Sequence, residues 1–257
     1  MFQQTRRQLA QGELHVTADF GTHHVQESEA GKLPDLVLVF DFLDANDEHV
    51  HAYIDCVPML DQKESKDWCY VASVWDNLHA TGFFKGYKKI FWWSDTGPNH
   101  FRTSNTLFYF REFQVRTGIT MLIHFFAPYH GHSMCDGHIG AISRALVIKA
   151  RSLHGSTQKW DTTFVKETIE SLRYTSVTHH NIERTNKKVA TLAGIKDYLV
   201  FTFDNDKPNT VNCAALCRAA FTTLTFTFAA TMAQVGDDLG ENDGSVDPEA
   251  VAALHDE

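Results

Sequence analysis

The chain has 257 residues, of which 43% are hydrophobic and 12% aromatic, enough for one sizeable core. No run approaches the roughly 20 consecutive apolar residues that a membrane helix needs. The N-terminal MFQQTRRQLAQGELHV lacks the apolar stretch of a signal peptide. Five scattered cysteines favour reduced, buried thiols over a disulfide framework. Composition therefore predicts a soluble intracellular protein.

The net charge of −9 is concentrated at the C-terminus. The segment from Val235 to Glu257 has eight acidic residues and no Lys or Arg, so the rest of the chain carries a net charge of only −1. We interpret residues 235–257 as an acidic disordered tail. A body so close to neutral is compatible with phosphate binding, which a charge of −9 would oppose.

Hydrophobic patterning predicts eight elements in the order β-β-β-α-β-α-β-α. Three meandering strands followed by strands that alternate with helices indicate an α/β fold with a mixed sheet covered by helices. Ribonuclease H-like domains have this order. The predicted bounds are strands at Glu13–Phe20, Asp35–Leu43 and His49–Val57, a helix at Ser65–Thr81 with Ser65 as its N-cap, a strand at Lys89–Ser94, a helix at His100–Val115, a strand at Thr120–Ala127 and a helix at Ser133–Ala150.

These elements divide the chain into four segments. Residues 1–12 form a leader, residues 13–155 the ribonuclease H-like core, residues 156–234 a small β-containing C-terminal extension, and residues 235–257 the acidic tail. In the extension, a helix is predicted at Thr162–Arg173 and strands at Asp197–Phe203 and Ala220–Ala229.

Three acidic residues occupy informative positions on this framework. Asp19 lies in the first strand, Asp95 ends the fourth strand, and Asp136 opens the third helix. In a ribonuclease H-like sheet the first and fourth strands are neighbours and that helix packs over them, so the three acids would converge. Such carboxylates suit two Mg²⁺ or Mn²⁺ ions about 3.5–4 Å apart, which cleave phosphodiesters. A lone acid is most often a cap or turn residue, so only the joint placement indicates a site.

Asp41 is the alternative first ligand. It lies in the apolar second predicted strand, in the sequence VFDFLD. If that strand were the true first strand of the core, Asp41 would take the place of Asp19. We favour Asp19, because the meander then has its three strands before the first helix.

The blocks SDTGPNHFR (94–102) and HGHSMCDGHIGAISR (130–144) resemble paired blocks in eukaryotic transposase-like proteins of the DDE/DDD type. In that group a Ser-Asp-Gly strand end precedes a Phe-Lys or Phe-Arg pair. Downstream come His-Gly-Lys, an Asp-Gly pair and a basic residue. The upstream Asp19-Phe20 and the later AGIKDYLVFTF also resemble that group. This chain departs at His132, at the extra Thr96, and at Ser143-Arg144, where the family has a basic pair.

The resemblance implies a metal-dependent transposase that cleaves and joins DNA, with Asp19, Asp95 and Asp136 holding two Mg²⁺ or Mn²⁺ ions. It also implies contacts to DNA from Arg102, Arg144, His130 and His132, and a second-shell role for His138. The expected partners are transposon ends and target DNA, with no membrane, and the expected location is the nucleus. Self-association stays open. No DNA-binding segment precedes Leu14, so a fragment or a truncated copy is expected.

Two other functions stay open. A non-catalytic descendant of a transposase would keep the fold as a DNA- or protein-binding module, and the near-neutral body favours it. A zinc hydrolase would use the imidazoles of His130 and His132, although their spacing to Asp136 and His138 departs from the compact His-x-His-x-Asp-His pattern.

Overall fold

The computed structural model describes residues 6, 8–24, 32–59, 66–97, 100–127, 133–152, 161–185, 189–216 and 219–228. The elements in chain order are β1 (Glu13–His24), β2 (Lys32–Leu43), β3 (His49–Pro58), α1 (Trp68–Ala80), β4 (Lys89–Ser94), α2 (Ser104–Thr117), β5 (Thr120–Phe125), α3 (Met134–Ser152), α4 (Thr162–Glu170), β6 (Thr175–His180), β7 (Ala190–Thr191), a 3₁₀ turn (Ile195–Asp197), β8 (Val200–Thr202), β9 (Thr210–Ala214), β10 (Thr222–Thr225) and β11 (Thr227–Phe228). The mixed α/β class and the order of the first eight elements are confirmed.

In the described part of the chain, the strands form a nine-stranded mixed sheet in the order β10-β9-β8-β5-β4-β1-β2-β3-β6. The first three strands form the predicted antiparallel meander. Strands β1, β4 and β5 are parallel neighbours, as the intervening helices require. Residues 156–234, the expected extension, supply β6 beside β3 and supply β8, β9 and β10 beyond β5. The boundary at residue 155 stays a sequence-based prediction.

Helices cover both faces of the sheet. The large core on one face joins α1 and α2 to alternate residues of β1, including Leu14, Val16 and Ala18. On the opposite face, Ile142 and Leu146 of α3 pack with α4 and the ends of β2 and β3. The period of two along each strand produces this division, because successive side chains point to opposite faces. The odd-numbered residues of β1, which include Asp19, therefore face α3.

Several predicted boundaries were wrong. Helix α1 is capped by Asp67, whose side chain accepts from Tyr70 N, and not by Ser65, which lies outside the described residues. Helix α2 begins at Ser104, four residues after the expected start, and Thr103 caps it, because its hydroxyl accepts from Thr106 N. The 3₁₀ turn shortens the strand expected from Asp197, and the last predicted strand is divided into β10 and β11. Strands β6, β7 and β9 were missed.

The acidic tail at 235–257 lies outside the described residues. Within the described ranges, no helix is long and apolar enough to cross a membrane. The four described cysteines (Cys56, Cys69, Cys135 and Cys213) are buried free thiols, in agreement with the expectation from composition.

Helix α3 approaches β1 closely at Gly21. A Cβ atom added to Gly21 would lie 3.3 Å from Ile139 Cγ1, tighter than an ordinary contact. Cys135, one turn earlier, donates its Sγ hydrogen to Thr17 O at 3.4 Å and to Val37 O at 3.6 Å. The first two turns of α3 therefore lie directly across β1 and β2.

We predict that Gly21→Val lowers the free energy of unfolding by about 1–3 kcal/mol, because the larger side chain overpacks this contact. Gly140→Ala on the same helix is the matched control, since an added Cβ meets nothing within 4 Å there. Removing a helical glycine should stabilise by about 0.5–1 kcal/mol. Urea denaturation measures both variants, and a neutral Gly21→Val would show that α3 is not held close to β1.

Candidate functional site

Asp19 and Asp95 are neighbours on adjacent strands. Strands β1 and β4 are parallel, and Ala18 lies opposite Ser94 in their register. The next residue on each chain is the acid, and paired strands lie about 4.8 Å apart, so Asp19 and Asp95 are adjacent across the two strands. The parallel register therefore joins two acids that are distant in sequence.

Asp136 reaches the same edge from helix α3. It follows Cys135, whose Sγ contacts the main chain of β1 and β2. Asp19 experiences electrostatic repulsion from both Asp95 and Asp136, which indicates that the three charges lie near one another. The fold thus brings all three predicted acids to the middle of β1, beside the end of β4.

The local environment shifts the pKa values of Asp19 and Asp95 in opposite directions. Burial raises the pKa of Asp19 to about 6, and repulsion by Asp95 and Asp136 adds to the rise, against a hydrogen bond from Phe20 N. Burial also acts on Asp95, but hydrogen bonds from His100 and from Gly97 N outweigh it and lower its pKa. Asp19 is therefore the acid that would gain most from a nearby cation.

Each acid also has a local structural role. Asp19 accepts a hydrogen bond from Phe20 N at 2.7 Å, Asp95 from Gly97 N at 3.0 Å, and Asp136 from Ser133 N at 2.7 Å. The last contact is half of a capping box at the start of α3. These hydrogen bonds engage one oxygen of each acid, so the second oxygen is the one available to a ligand.

The donor set is suited to Mg²⁺ or Mn²⁺, because all three side chains offer hard carboxylate oxygens. The side chains are not yet arranged as a coordination sphere: within the described residues, no group of three or more His, Cys, Asp or Glu side chains could hold a metal ion as placed. Binding would require the carboxylates to converge further, through the oxygens that their local hydrogen bonds do not use.

Two basic residues at the site were missed by sequence reasoning. Lys66 Nζ donates to Phe20 O at 3.4 Å and lies 5.8 Å from the centre of the Phe20 ring. Burial lowers the pKa of Lys66, while Asp19 and Asp35 attract its charge. His100 Nε2 lies 3.6 Å from Asp95 Oδ1, and its ring packs edge-on against Phe20 at 5.1 Å. Nothing in the polar sequence around Lys66 signalled this position, whereas His100 lies inside the SDTGPNHFR block.

The loop after β4 depends on Gly97. A Cβ atom at Gly97 would overlap the ring of His100, so glycine allows the imidazole to lie against the loop. The main chain closes there as well, because Arg102 N donates to Gly97 O at 3.2 Å. This tight loop holds His100 next to Asp95.

The predicted DNA-contacting residues are spread around the acids. Arg102 is partly exposed, and its Nη1 donates to Lys196 O at 3.2 Å. Arg144 is exposed on α3, about two turns beyond Asp136. His130 and His132 lie outside the described residues. Their roles as DNA contacts stay predictions.

His138 does not contact Asp136. Its Nε2 lies 2.8 Å from Oδ2 of Asp55 on β3, and its ring stacks on Tyr53 with centroids 4.3 Å apart. Helix α3 therefore carries Asp136 to the site, whereas His138, two residues later, points into the sheet. The second-shell role expected for His138 could therefore act only through the position of α3.

Asp41 lies away from the acids, beside the start of β1. It is opposite His15 in the β1–β2 register, and Arg6 Nη2 donates to its Oδ1 at 2.6 Å. Burial would raise the pKa of Asp41, but hydrogen bonds from His15 and Arg6 outweigh it and lower the pKa. Four residues of β1, about 13 Å of strand, separate His15 from Asp19. The structure therefore places Asp19, and not Asp41, beside Asp95.

Residues 71–196 match the model of a protein family described as a domain of unknown function (DUF8701). The match covers just under half of the chain and includes Asp95, Arg102 and Asp136, but it begins after Asp19. A search among curated protein sequences found no match. These comparisons attach no activity to the acids.

We predict that Asp19→Asn stabilises the protein at neutral pH. The pKa of Asp19 is about 6 in the folded state against an ordinary 3.8, so the folded state disfavours the ionised carboxylate. Stability is therefore lost as pH rises from about 4 through about 6. Asp19→Asn should recover about 1 kcal/mol above that window, a value reduced for partial solvent exposure.

Denaturant unfolding of both proteins near pH 7.5 and near pH 4 tests this prediction. The two curves should separate at the higher pH and nearly coincide at the lower one. The same difference at both pH values would mean that the carboxyl group of Asp19 is not perturbed by its surroundings.

Proposed function

We propose that the chain is a ribonuclease H-like transposase core that cleaves and joins DNA strands with two bound Mg²⁺ or Mn²⁺ ions. The observation that carries the proposal is the register of β1 and β4, which sets Asp19 beside Asp95 while α3 brings Asp136 to the same edge. DNA as the substrate implies transposon ends and target DNA as partners and the nucleus as the place of action.

The arrangement of strands supports the ribonuclease H-like part of the proposal. The central strands lie in the order β3-β2-β1-β4-β5, with β2 antiparallel to its neighbours and β1, β4 and β5 parallel. Helices cover both faces, and acids sit on the first strand, at the end of the fourth, and on the helix after the fifth. The same positions carry the sequence blocks that resemble transposase-like proteins.

The chemistry assigned to the site follows from its charges. Divalent ions bound there would stabilise the attacking and leaving oxygens of a phosphodiester and help to form the nucleophile. The three carboxylates would hold these ions through the oxygens that local hydrogen bonds do not use. Lys66, half-buried beside Asp19, offsets part of the negative charge and presents a cation toward DNA phosphates, and Arg102 extends the positive surface beyond His100.

A second candidate function is a non-catalytic descendant that binds DNA or protein. It is favoured by the local hydrogen bonds that already engage Asp19, Asp95 and Asp136, and by the lack of a preassembled metal-binding group within the described residues. In that case the acids would serve only as cap and turn residues. The zinc-hydrolase alternative depends on His130 and His132, outside the described residues.

Nicking of supercoiled plasmid DNA with Mn²⁺ tests the leading proposal. We expect the wild-type chain to nick and Asp136→Asn to lose nicking. Asp136→Asn should also bind Mn²⁺ at least about 10-fold more weakly, since even the loss of an outer-shell partner costs that much. Its amide oxygen can still accept from Ser133 N, so the capping contact survives the substitution.

Asp161→Asn is the matched control. Asp161 caps α4 by accepting from Phe164 N at 2.7 Å, so this variant makes the same change of charge at another helix start. It should nick as the wild type does. Equal nicking by Asp136→Asn would contradict the assigned role, and DNA binding without nicking by any variant would favour the non-catalytic descendant. Stoichiometric zinc dependent on His130 and His132 would favour the hydrolase.

A further inference from the structure

Four buried polar side chains form a ladder across the sheet face that α3 covers. His23 Nε2 on β1 lies 2.9 Å from Asp35 Oδ2 on β2, and His138 Nε2 on α3 lies 2.8 Å from Asp55 Oδ2 on β3. Both aspartates are fully buried, and the two histidines are nearly so. Burying ionisable groups lowers the stability of the folded state unless they are paired. A cluster of four such groups therefore indicates a specific role. We call these residues the His-Asp ladder.

A hydrogen bond between the two aspartates connects the two His-Asp pairs of the ladder. Burial and the charge of Asp55 raise the pKa of Asp35 well above its ordinary value. Oδ1 of each residue is buried with no other hydrogen-bond partner in the described structure, so both oxygens are available for the bond between the two side chains. A proton on Asp35 lets it donate to Asp55 and leaves Oδ2 of Asp35 to accept from His23.

The histidines fit this pattern of donors and acceptors. Burial lowers the pKa of His23 to about 4, so its ring is neutral and donates one N–H to Asp35. His138 is held twice, by its hydrogen bond to Asp55 and by stacking on Tyr53 with an interplanar angle of 15°. The His-Asp ladder thus runs without interruption from β1 through β2 and β3 to the second turn of α3.

We propose that the His-Asp ladder is a positioning device that fixes α3 so that Asp136 stands over Asp19 and Asp95. The role of Asp136 in this proposal rests on the proposed function. The proposal assigns a supporting role at that site to Asp35, Asp55, His23 and His138. Asp136 and His138 are two residues apart on one helix, so a hydrogen bond that holds His138 also limits rotation and sliding of the turn that carries Asp136. Apolar contacts would hold the helix too, but they are not directional.

His138→Phe tests the proposal against His124→Phe as a matched control. Phenylalanine can keep the stacking on Tyr53 but cannot donate to Asp55. His124 is likewise a buried histidine stacked on an aromatic ring, Trp93, at 4.5 Å, but it lies on β5, two strands from β1 in the sheet order. Amide hydrogen exchange in residues 134–140 and Mn²⁺ affinity are measured for both variants of the full chain.

We expect His138→Phe to speed exchange selectively in residues 134–140 and to weaken Mn²⁺ binding by about 10-fold, the usual effect of losing support for a metal ligand. His124→Phe should leave the Mn²⁺ affinity unchanged and should not speed exchange selectively in residues 134–140. Asp35→Asn should preserve both properties, because an amide donates to Asp55 and accepts from His23 as the protonated acid does. Asp35→Leu should behave like His138→Phe.

Unchanged exchange in residues 134–140 of His138→Phe would overturn the proposal. If His138→Phe exchanged faster in residues 134–140 but bound Mn²⁺ as tightly as His124→Phe does, the link between the ladder and the acids would be overturned. A loss of Mn²⁺ affinity in Asp35→Asn as large as that in Asp35→Leu would also overturn this link. If the wild-type chain bound no Mn²⁺, the proposed function would fail, and the exchange data alone would then decide whether the His-Asp ladder holds α3.

Discussion

The parallel pairing of β1 with β4 forces two carboxylates together at one end of the sheet. Asp19 and Asp95 directly follow the register pair of Ala18 with Ser94, and Asp19 is itself paired with Val37 of β2, so the sheet fixes the main chain beside both acids. The resulting repulsion and burial are seen in the raised pKa of Asp19, while His100 and Gly97 stabilise the ionised form of Asp95. A structure that keeps such a pair sacrifices stability at neutral pH, and a divalent cation between the two charges is a direct way to recover it.

The two faces of the sheet have different roles. Large apolar side chains join β1 to α1 and α2 on one face, where burial supplies most of the stability. The face under α3 is unusually polar, with the His-Asp ladder at one end and the Arg6–Asp41–His15 group at the other. Helix α3 is therefore held by directional contacts and apolar packing near its start, and by apolar packing of Ile142 and Leu146 further along.

Strongly patterned elements could be predicted from the sequence. The apolar run KIFWWS gave β4 with both ends correct, because it is short, buried and bounded by polar sequence. Strand β6 (TSVTHH) was missed, since it is a polar edge strand that its pairing with β3 defines. Helix α2 starts late because the tight loop around Gly97 and His100 precedes it. These errors share a cause: tertiary contacts, and not local pattern, decide those segments.

The acids of the site could be placed from strand order, but their surroundings could not. The choice of Asp19 over Asp41 followed from counting strands before the first helix, and the register agrees with it. Lys66 and the His-Asp ladder join residues from four or more elements, and a single sequence carries no periodic signal for such cross-strand contacts.

Diffraction from crystals soaked in Mn²⁺ tests the central claim most directly, because anomalous scattering locates the ions without any assumption about activity. The account predicts an anomalous peak between the carboxylates of Asp19 and Asp95, within coordination distance of Asp136 after its side chain turns inward, and loss of that peak in Asp19→Asn. Well-ordered crystals with Mn²⁺ only elsewhere, or with none beside Asp19 and Asp95, would contradict it.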